Sequence, residues 1–292
     1  MTLSIPDLAA VRARHPEAVA EAAARRVRRP LLNGSGRLMI VAADHPARGA
    51  LAVGDRDLAM ANRADLLERL CTALTRPGVD GVLATADVLE DLLLLGVLDG
   101  KVVMGSMNRG GLAGAAFEMD DRFTGHRPAD LARLRFDAGK LLLRIDYDDP
   151  GSLTTLEATA RAIDEMASLR LPVFVEPFLT RRVAGRIRND LSAPAVTRSI
   201  AIASGLGGTS AYTWLKLPVT DDPDDMGEVL QASTLPAVLL GGDVGDDQDA
   251  AYERWRKALG LPTVHGLVVG RSLLYPAAGS VEEAVDTAVG LL

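Results

Sequence analysis

The sequence has very little of several residue types, and each shortage excludes a class of protein. One cysteine, Cys71, stands in 292 residues. That rules out an intrachain disulfide and any zinc or iron–sulfur site built from several cysteines. The four histidines, His15, His45, His126 and His265, are scattered with no H-x-H or H-x-x-x-H pair, so no metal is expected. Lysine is nearly missing: the 32 basic residues include only Lys101, Lys140, Lys216 and Lys257. Positive charge is outweighed by 39 acidic residues, giving −7 overall, which disfavours a general nucleic-acid surface. No apolar run approaches the roughly 20 residues that span a bilayer. The first residues carry no signal-peptide pattern. The expectation is a soluble cytoplasmic protein with neither membrane nor nucleic-acid partner.

The composition is otherwise that of a folded globular chain, 48% hydrophobic and 24% charged. Residues 1–36 differ from the rest. Leu8, Val11, Val19 and Val27 suit one helical face, with Arg25, Arg26, Arg28 and Arg29 outside it. Pro30 and Asn33-Gly-Ser-Gly36 then break the chain. An N-terminal helical extension is expected, its arginines on a solvated face or, alternatively, binding an anion.

From residue 37 to 292, short apolar runs alternate with longer helical segments. The runs are Leu38–Ala43, Gly81–Thr85, Val102–Gly105, Leu141–Ile145, Val173–Glu176, Trp214–Leu217, Ala237–Gly241 and Gly266–Gly270. Continuous apolar strands indicate burial on both faces, as in a parallel sheet. The intervening segments are long enough for crossover helices. In 153–169, for example, Leu153, Leu156, Ala160, Ile163, Met166 and Leu169 form one stripe. Ser280-Val-Glu-Glu283 is a capping-box pattern opening the last helix. Eight strand–helix units predict a (β/α)8 barrel, with a doubly wound sheet as the alternative. The first strand ends in Ala-Ala-Asp-His with no G-x-G-x-x-G, which favours the barrel.

In such barrels the active site is built at the carboxyl ends of the strands. There the first run delivers Asp44, His45 and Arg48; the second Thr85 and Asp87; the third Ser106, Asn108 and Arg109. The fourth delivers Arg144, Asp146 and Tyr147; the fifth Glu176; the sixth Lys216; the seventh Gly241, Gly242 and Asp243; the eighth Gly270 and Arg271. Lys216 is the most informative. An ammonium inside a doubly buried strand is costly to desolvate, and a neutral amine there can condense with a carbonyl. The alternative is a salt bridge to Glu176 or Asp44 that closes the barrel top. Glu176 is placed to shuttle protons beside such a lysine, or else to act as its counter-ion. Asp44 either orients a substrate hydroxyl or takes part in proton transfer, or else caps a helix or forms an ion pair. Lys101 and Lys140 are expected at the starts of their strands, at the barrel bottom. Lys257 is expected on a polar helix.

Gly241-Gly242 and Gly270-Arg271 follow the last two strands, where this fold often holds a phosphate on backbone N–H groups. Arg271 adds a bidentate fork. Glycine also ends strands for steric reasons alone. Asp221, Asp222, Asp224 and Asp225 suggest a solvated loop rather than a cation site. Cys71, beside Leu67, Leu70 and Leu74, reads as core.

Five segments, in order and one per strand end, resemble the class I, Schiff-base aldolases of the deoxyribose-phosphate aldolase superfamily. They are Ala-Ala-Asp44-His-Pro-Ala-Arg-Gly-Ala-Leu51, Lys140-Leu-Leu-Leu-Arg-Ile-Asp-Tyr-Asp148, Leu-Pro-Val-Phe-Val-Glu176, Trp-Leu-Lys216-Leu-Pro-Val and Gly-Leu-Val-Val-Gly-Arg271. The nearer likeness is to the tagatose-bisphosphate and sulfofructose-phosphate aldolase branch. The resemblance implies Lys216 as the Schiff-base lysine, Glu176 as proton mediator, Asp44 as the strand-one carboxylate and Arg271 as phosphate ligand. It implies Arg48 at the other end of the substrate, and it matches the family's strand-four lysine to Lys140. His45-Pro46 after Asp44 departs from the family pattern.

The chain also resembles an actinobacterial group, called deoxyribose-phosphate-aldolase-like, that accompanies inositol catabolism. This implies cleavage of 6-phospho-5-dehydro-2-deoxygluconate to dihydroxyacetone phosphate and malonate semialdehyde, with no cofactor. Arg109 and Arg144 would suit the substrate carboxylate. The alternatives are aldol cleavage of deoxyribose 5-phosphate, tagatose or fructose bisphosphate or sulfofructose phosphate, or a sugar-phosphate-binding barrel without catalysis. Barrels of this kind often assemble into homo-oligomers.

Overall fold

A computed structural model describes residues 3–108, 111–242 and 248–292. Arg109 and Asp243, both expected at strand ends, lie outside the described residues. Eight parallel strands close on themselves in the order β4-β3-β2-β1-β9-β8-β7-β5, with β5 pairing back to β4. They are β1 Leu38–Ala43, β2 Gly81–Ala84, β3 Val102–Ser106, β4 Ala138–Ile145, β5 Val173–Val183, β7 Thr213–Leu217, β8 Ala237–Leu240 and β9 Val264–Val269. The helices α3 Arg63–Thr75, α4 Ala86–Leu94, α5 Pro128–Arg133, α6 Gly151–Ser168, α7 Ala193–Ser204, α8 Met226–Val229, α9 Gln248–Leu259, α10 Arg271–Leu274 and α11 Val281–Val289 alternate with them. This is the expected (β/α)8 barrel.

Strand alternation divides the core in two. Residues such as Met39, Val41, Val103, Leu141 and Val175 face outward under the helices. Leu38, Ile40, Ala42, Met104, Ala138, Phe174, Val238 and Val268 fill the barrel interior. Trp214 stacks on Phe174, ring centroids 5.2 Å apart. Leu31 and Leu32, from the N-terminal segment, pack against this interior cluster. The N-terminal segment therefore helps to close the barrel floor.

Several local expectations change. The N-terminal segment forms two short helices, α1 Leu8–Arg14 and α2 Ala18–Arg25, separated at His15-Pro16. Val27 lies beyond them and is exposed. Its arginines are a solvated face only in part: Arg25 is exposed, whereas the others reach carboxylates of the barrel. Arg26 is buried, 3.1 Å from Asp137, and Arg28 donates to the same carboxylate at 2.8 Å. Arg29 binds Asp80 at 2.5 Å. Asp80 and Asp137 also accept backbone N–H groups from Met39 and Val103, so they bind strap and strands together.

In α6 the buried stripe is Ser152, Thr155, Thr159, Ala162, Ile163 and Met166, which leaves Leu153 and Leu169 exposed. Thr155 Oγ1 donates to Gly151 O, satisfying its hydroxyl inside the interface. The capping box at Ser280–Glu283 forms as expected.

The barrel carries one elaboration that the sequence reading misses. β5 runs past the barrel and pairs antiparallel with β6 Arg186–Asn189. The turn is Ala184-Gly185, both at positive φ (49° and 78°), the geometry of a two-residue hairpin.

Candidate active site

Each polar side chain inside the barrel lies two residues beyond an interior apolar one. Asp44 follows Ala42, Ser106 follows Met104, Lys140 follows Ala138, Glu176 follows Phe174 and Lys216 follows Trp214. A two-residue period keeps all five on the inner wall, one step nearer the carboxyl end. The sheet register supports the layering: Ser106 pairs with Lys140, and Leu142 with Glu176.

The five groups form one connected network. Lys216 Nζ donates to Glu176 Oε1, and Lys140 Nζ contacts Glu176 Oε2. Lys140 Nζ also lies 3.3 Å from Asp44 Oδ2, which accepts from Ser106 Oγ at 3.1 Å. All are buried, from 0% exposure at Ser106 to 8% at Glu176. Two lysines thus share one carboxylate, and the second carboxylate, Asp44, sits on Lys140.

Lys140 is therefore not at the barrel bottom. It is the third residue of β4, which starts at Ala138 rather than Leu141. The small residues Ala138 and Gly139 hide the strand start from a hydrophobicity reading. Lys101 does lie at the foot of β3, donating to Val79 O, and Lys257 pairs with Asp224 on the surface.

The expected site residues fall into three places. Asp44, Glu176 and Lys216 come together, as described. Gly241, Gly242, Gly270 and Arg271 follow β8 and β9, with Arg271 opening α10. A Cβ at Gly270 would lie 2.3 Å from Ala42 O, so the close approach of β1 already requires glycine there. Arg48 and Arg144 instead hold neighbouring loops. Arg144 is buried and donates to Asp121 (2.8 and 2.9 Å) and to Glu118 Oε1 (3.1 Å). Arg48 donates to Gly111 O and lies 3.3 Å from Glu118. Asn108 bridges Asp121 O and Leu142 O, locking the same loop to β4.

His45 sits beside the network, Nδ1 3.9 Å from Asp44 Oδ1. Burial, then the charges of Arg271 and Lys216, push its pKa down to about 3, so the ring is neutral. Above the network Leu142, Phe178, Leu240 and Leu191 line an apolar mouth. Cys71 is half-buried on α3, and burial raises its thiol pKa, which does not favour a nucleophile. Among the described residues no group of three His, Cys, Asp or Glu is arranged to hold a metal ion, and no helix is long and apolar enough to cross a membrane.

These features define a (β/α)8 barrel with a buried lysine pair at its carboxyl-terminal end. The family described as Cgl0159-like matches residues 36–289, and the chain belongs to that family. The crystal structure of Cgl0159 from Corynebacterium glutamicum is 53% identical, with a TM-score of 0.95 over 99% of this chain and 97% of that one. The fold is also that of an archaeal fructose 1,6-bisphosphate aldolase, at 18% identity, a TM-score of 0.65 and coverage of 93% and 99%. A Schiff-base-forming fructose-1,6-bisphosphate aldolase gives 19%, 0.62, and 94% and 98%. No curated protein matches the sequence.

Proposed function

We propose that the chain is a class I aldolase that cleaves a phosphorylated keto sugar through a Schiff base on Lys216. One observation carries this reading: two buried lysines share the carboxylate of Glu176. A structural ion pair needs one cation. A second ammonium disfavours the charging of the first, and it keeps Glu176 compensated when Lys216 gives up its proton. The barrel shared with aldolases whose names describe Schiff-base formation supports the same reading.

In the reaction, the phosphate docks against Arg271 and the backbone at Gly270, Gly241 and Gly242. Neutral Lys216 attacks the substrate ketone. The proton that the nitrogen loses on attack passes to Glu176, which hands it to the carbinolamine oxygen, and water leaves. The iminium then accepts the electron pair of the carbon–carbon bond two atoms away. Asp44 or Glu176 takes the hydroxyl proton of the departing aldehyde. Protonation of the enamine and hydrolysis of the iminium release the ketone product and restore the amine. Lys140 holds Glu176 and Asp44 in place throughout. Arg48 and Arg144 serve the far end of the substrate, either directly, by exchanging a carboxylate partner, or by fixing the loop that carries Glu118 and Asp121.

The substrate we assign is 6-phospho-5-dehydro-2-deoxygluconate, giving dihydroxyacetone phosphate and malonate semialdehyde. A cleavage assay over this compound, deoxyribose 5-phosphate, the ketose bisphosphates and sulfofructose phosphate tests the assignment. The keto-deoxy acid is expected to give the highest kcat/KM. Preference for another phosphate would replace the substrate and keep the chemistry. Binding without turnover of any would remove the enzyme reading.

A further inference from the structure

The mechanism above uses every member of the barrel network except Ser106. Ser106 is the last residue of β3, fully buried, and its Oγ donates to Asp44 Oδ2 at 3.1 Å. Its main chain is fixed from both sides. Met107 N donates to Lys140 O at 2.9 Å, which continues the β3–β4 register. His126 donates to Ser106 O through its backbone N (3.1 Å) and through Nδ1 (3.2 Å); a carbonyl can only accept, so Nδ1 carries the hydrogen. The His126 ring is buried, edge to face with Phe136, and burial lowers its pKa, so it stays neutral. Gly105 makes room for it: a Cβ there would lie 2.8 Å from His126 Nδ1. A polar ring in the outer wall thus holds a hydroxyl in the inner wall.

Lys140 Nζ shares Asp44 Oδ2 with Ser106, at 3.3 Å. The two donors are not equivalent. An ammonium has N–H groups and no lone pair, whereas a hydroxyl has both. In the cleavage step the substrate O–H bond breaks and its electrons form the aldehyde C=O. The carbon–carbon pair moves into the iminium, and the proton passes to the carboxylate. Asp44, 2% exposed, then carries an O–H that needs an acceptor. Lys140, as an ammonium, cannot accept it. Ser106 can, by rotating its hydroxyl. Neither lysine on Glu176 offers the same service, because at that stage Lys216 is an iminium.

We propose that Ser106 is a positioning residue for this reaction: its hydroxyl fixes the Asp44 carboxylate before cleavage and turns from donor to acceptor as Asp44 takes the proton. The proposal rests on the aldolase reading above, with Asp44 as the base. It makes Asp44, rather than Glu176, the group that deprotonates the substrate hydroxyl. Without the hydroxyl, the carboxylate loses a donor before the transfer and the acid loses an acceptor after it, so both ends of the step suffer.

Ser106→Ala and Ser106→Thr test it, with two assays on each protein. Borohydride trapping of dihydroxyacetone phosphate on Lys216 needs no proton transfer through Asp44. Cleavage of 6-phospho-5-dehydro-2-deoxygluconate, or of the ketose phosphate that replaces it in the assay above, does. Ser106→Ala should trap at the wild-type rate, keep KM within about threefold and lose kcat for cleavage by about 10- to 100-fold. Ser106→Thr, which keeps the hydroxyl and suits a strand, should stay within about threefold of the wild type in both assays. The acid limb of the kcat profile should move to higher pH in Ser106→Ala, because the carboxylate loses a donor that favours its charged form. The other titratable and charged groups around Asp44 stay in place: His45 beside it, Lys140 on β4, Glu176 on β5, Lys216 on β7 and Arg271 on α10. The shift therefore reads the hydroxyl. Full cleavage by Ser106→Ala, an unmoved acid limb, equal losses in Ser106→Thr, or trapping lost in step with cleavage would each overturn the proposal and leave the aldolase reading standing. Absence of any wild-type adduct would remove that reading, and the proposal with it.

Discussion

Replacing Lys140 by methionine removes one charge from the network while keeping most of the side-chain volume. Lys140 is 1% exposed, against Glu176 Oε2 and 3.3 Å from Asp44 Oδ2. Without it, Glu176 serves Lys216 alone, and a proton leaving Lys216 strands a buried carboxylate. Two ammoniums on opposite oxygens of one carboxylate are about 5 Å apart, and at an effective dielectric near 20 they repel by about 3 kcal/mol. Losing that repulsion lowers the share of neutral Lys216 by about 100-fold. The assay is the rate of borohydride-trapped adduct with dihydroxyacetone phosphate, followed by intact mass across pH. Trapping by Lys140→Met should be about 100-fold slower near neutral pH and should recover at alkaline pH, where solvent strips the proton. Circular dichroism on the same samples checks the fold. A folded variant that traps at the wild-type rate near neutral pH would refute the reasoning.

Asp137→Ala tests the N-terminal strap. It leaves the Arg26 guanidinium, 1% exposed, without its carboxylate, and should cost about 3–5 kcal/mol in urea unfolding. A loss below about 1 kcal/mol would mean that the strap does not depend on this pair. His45 gives a pH test. Its folded pKa of about 3 lies below the ordinary imidazole value of 6.5, so between those limits the unfolded chain binds a proton that the folded chain refuses. The associated stability is present above 6.5 and is lost as pH falls toward 3. His45→Asn should therefore lose less stability than the wild type between pH 7.5 and 5 (roughly one proton's linkage). Equal losses would show that the ring is not held neutral.

The sequence is most transparent where burial is two-sided. β1 is read to the residue, because Leu-Met-Ile-Val-Ala-Ala is apolar on both faces and ends at a charge. The barrel follows from eight such runs. That Asp44, Glu176 and Lys216 come together inside the barrel is legible because charged groups that close apolar runs stand out. Lys140 is misplaced because Ala138-Gly139 carries little hydrophobic signal. The hairpin is missed because Thr-Arg-Arg-Val and Arg-Ile-Arg-Asn have no continuous apolar face; the Ala-Gly pair between them is the signal that marks its turn. The arginine strap is invisible because its partners, Asp80 and Asp137, stand 51 and 109 residues away from Arg29 and Arg28. The exposed Leu153 shows a helix whose period is right and whose face is rotated. Two buried threonines take positions that a hydrophobicity count assigns to leucine.

The central claim is that the Lys216 amine condenses with a ketone. Incubation with dihydroxyacetone phosphate, reduction with borohydride and peptide mass mapping tests it directly. The account predicts one adduct, on Lys216, lost in Lys216→Ala together with cleavage activity. An adduct confined to Lys140, or undiminished turnover by Lys216→Ala, would contradict it.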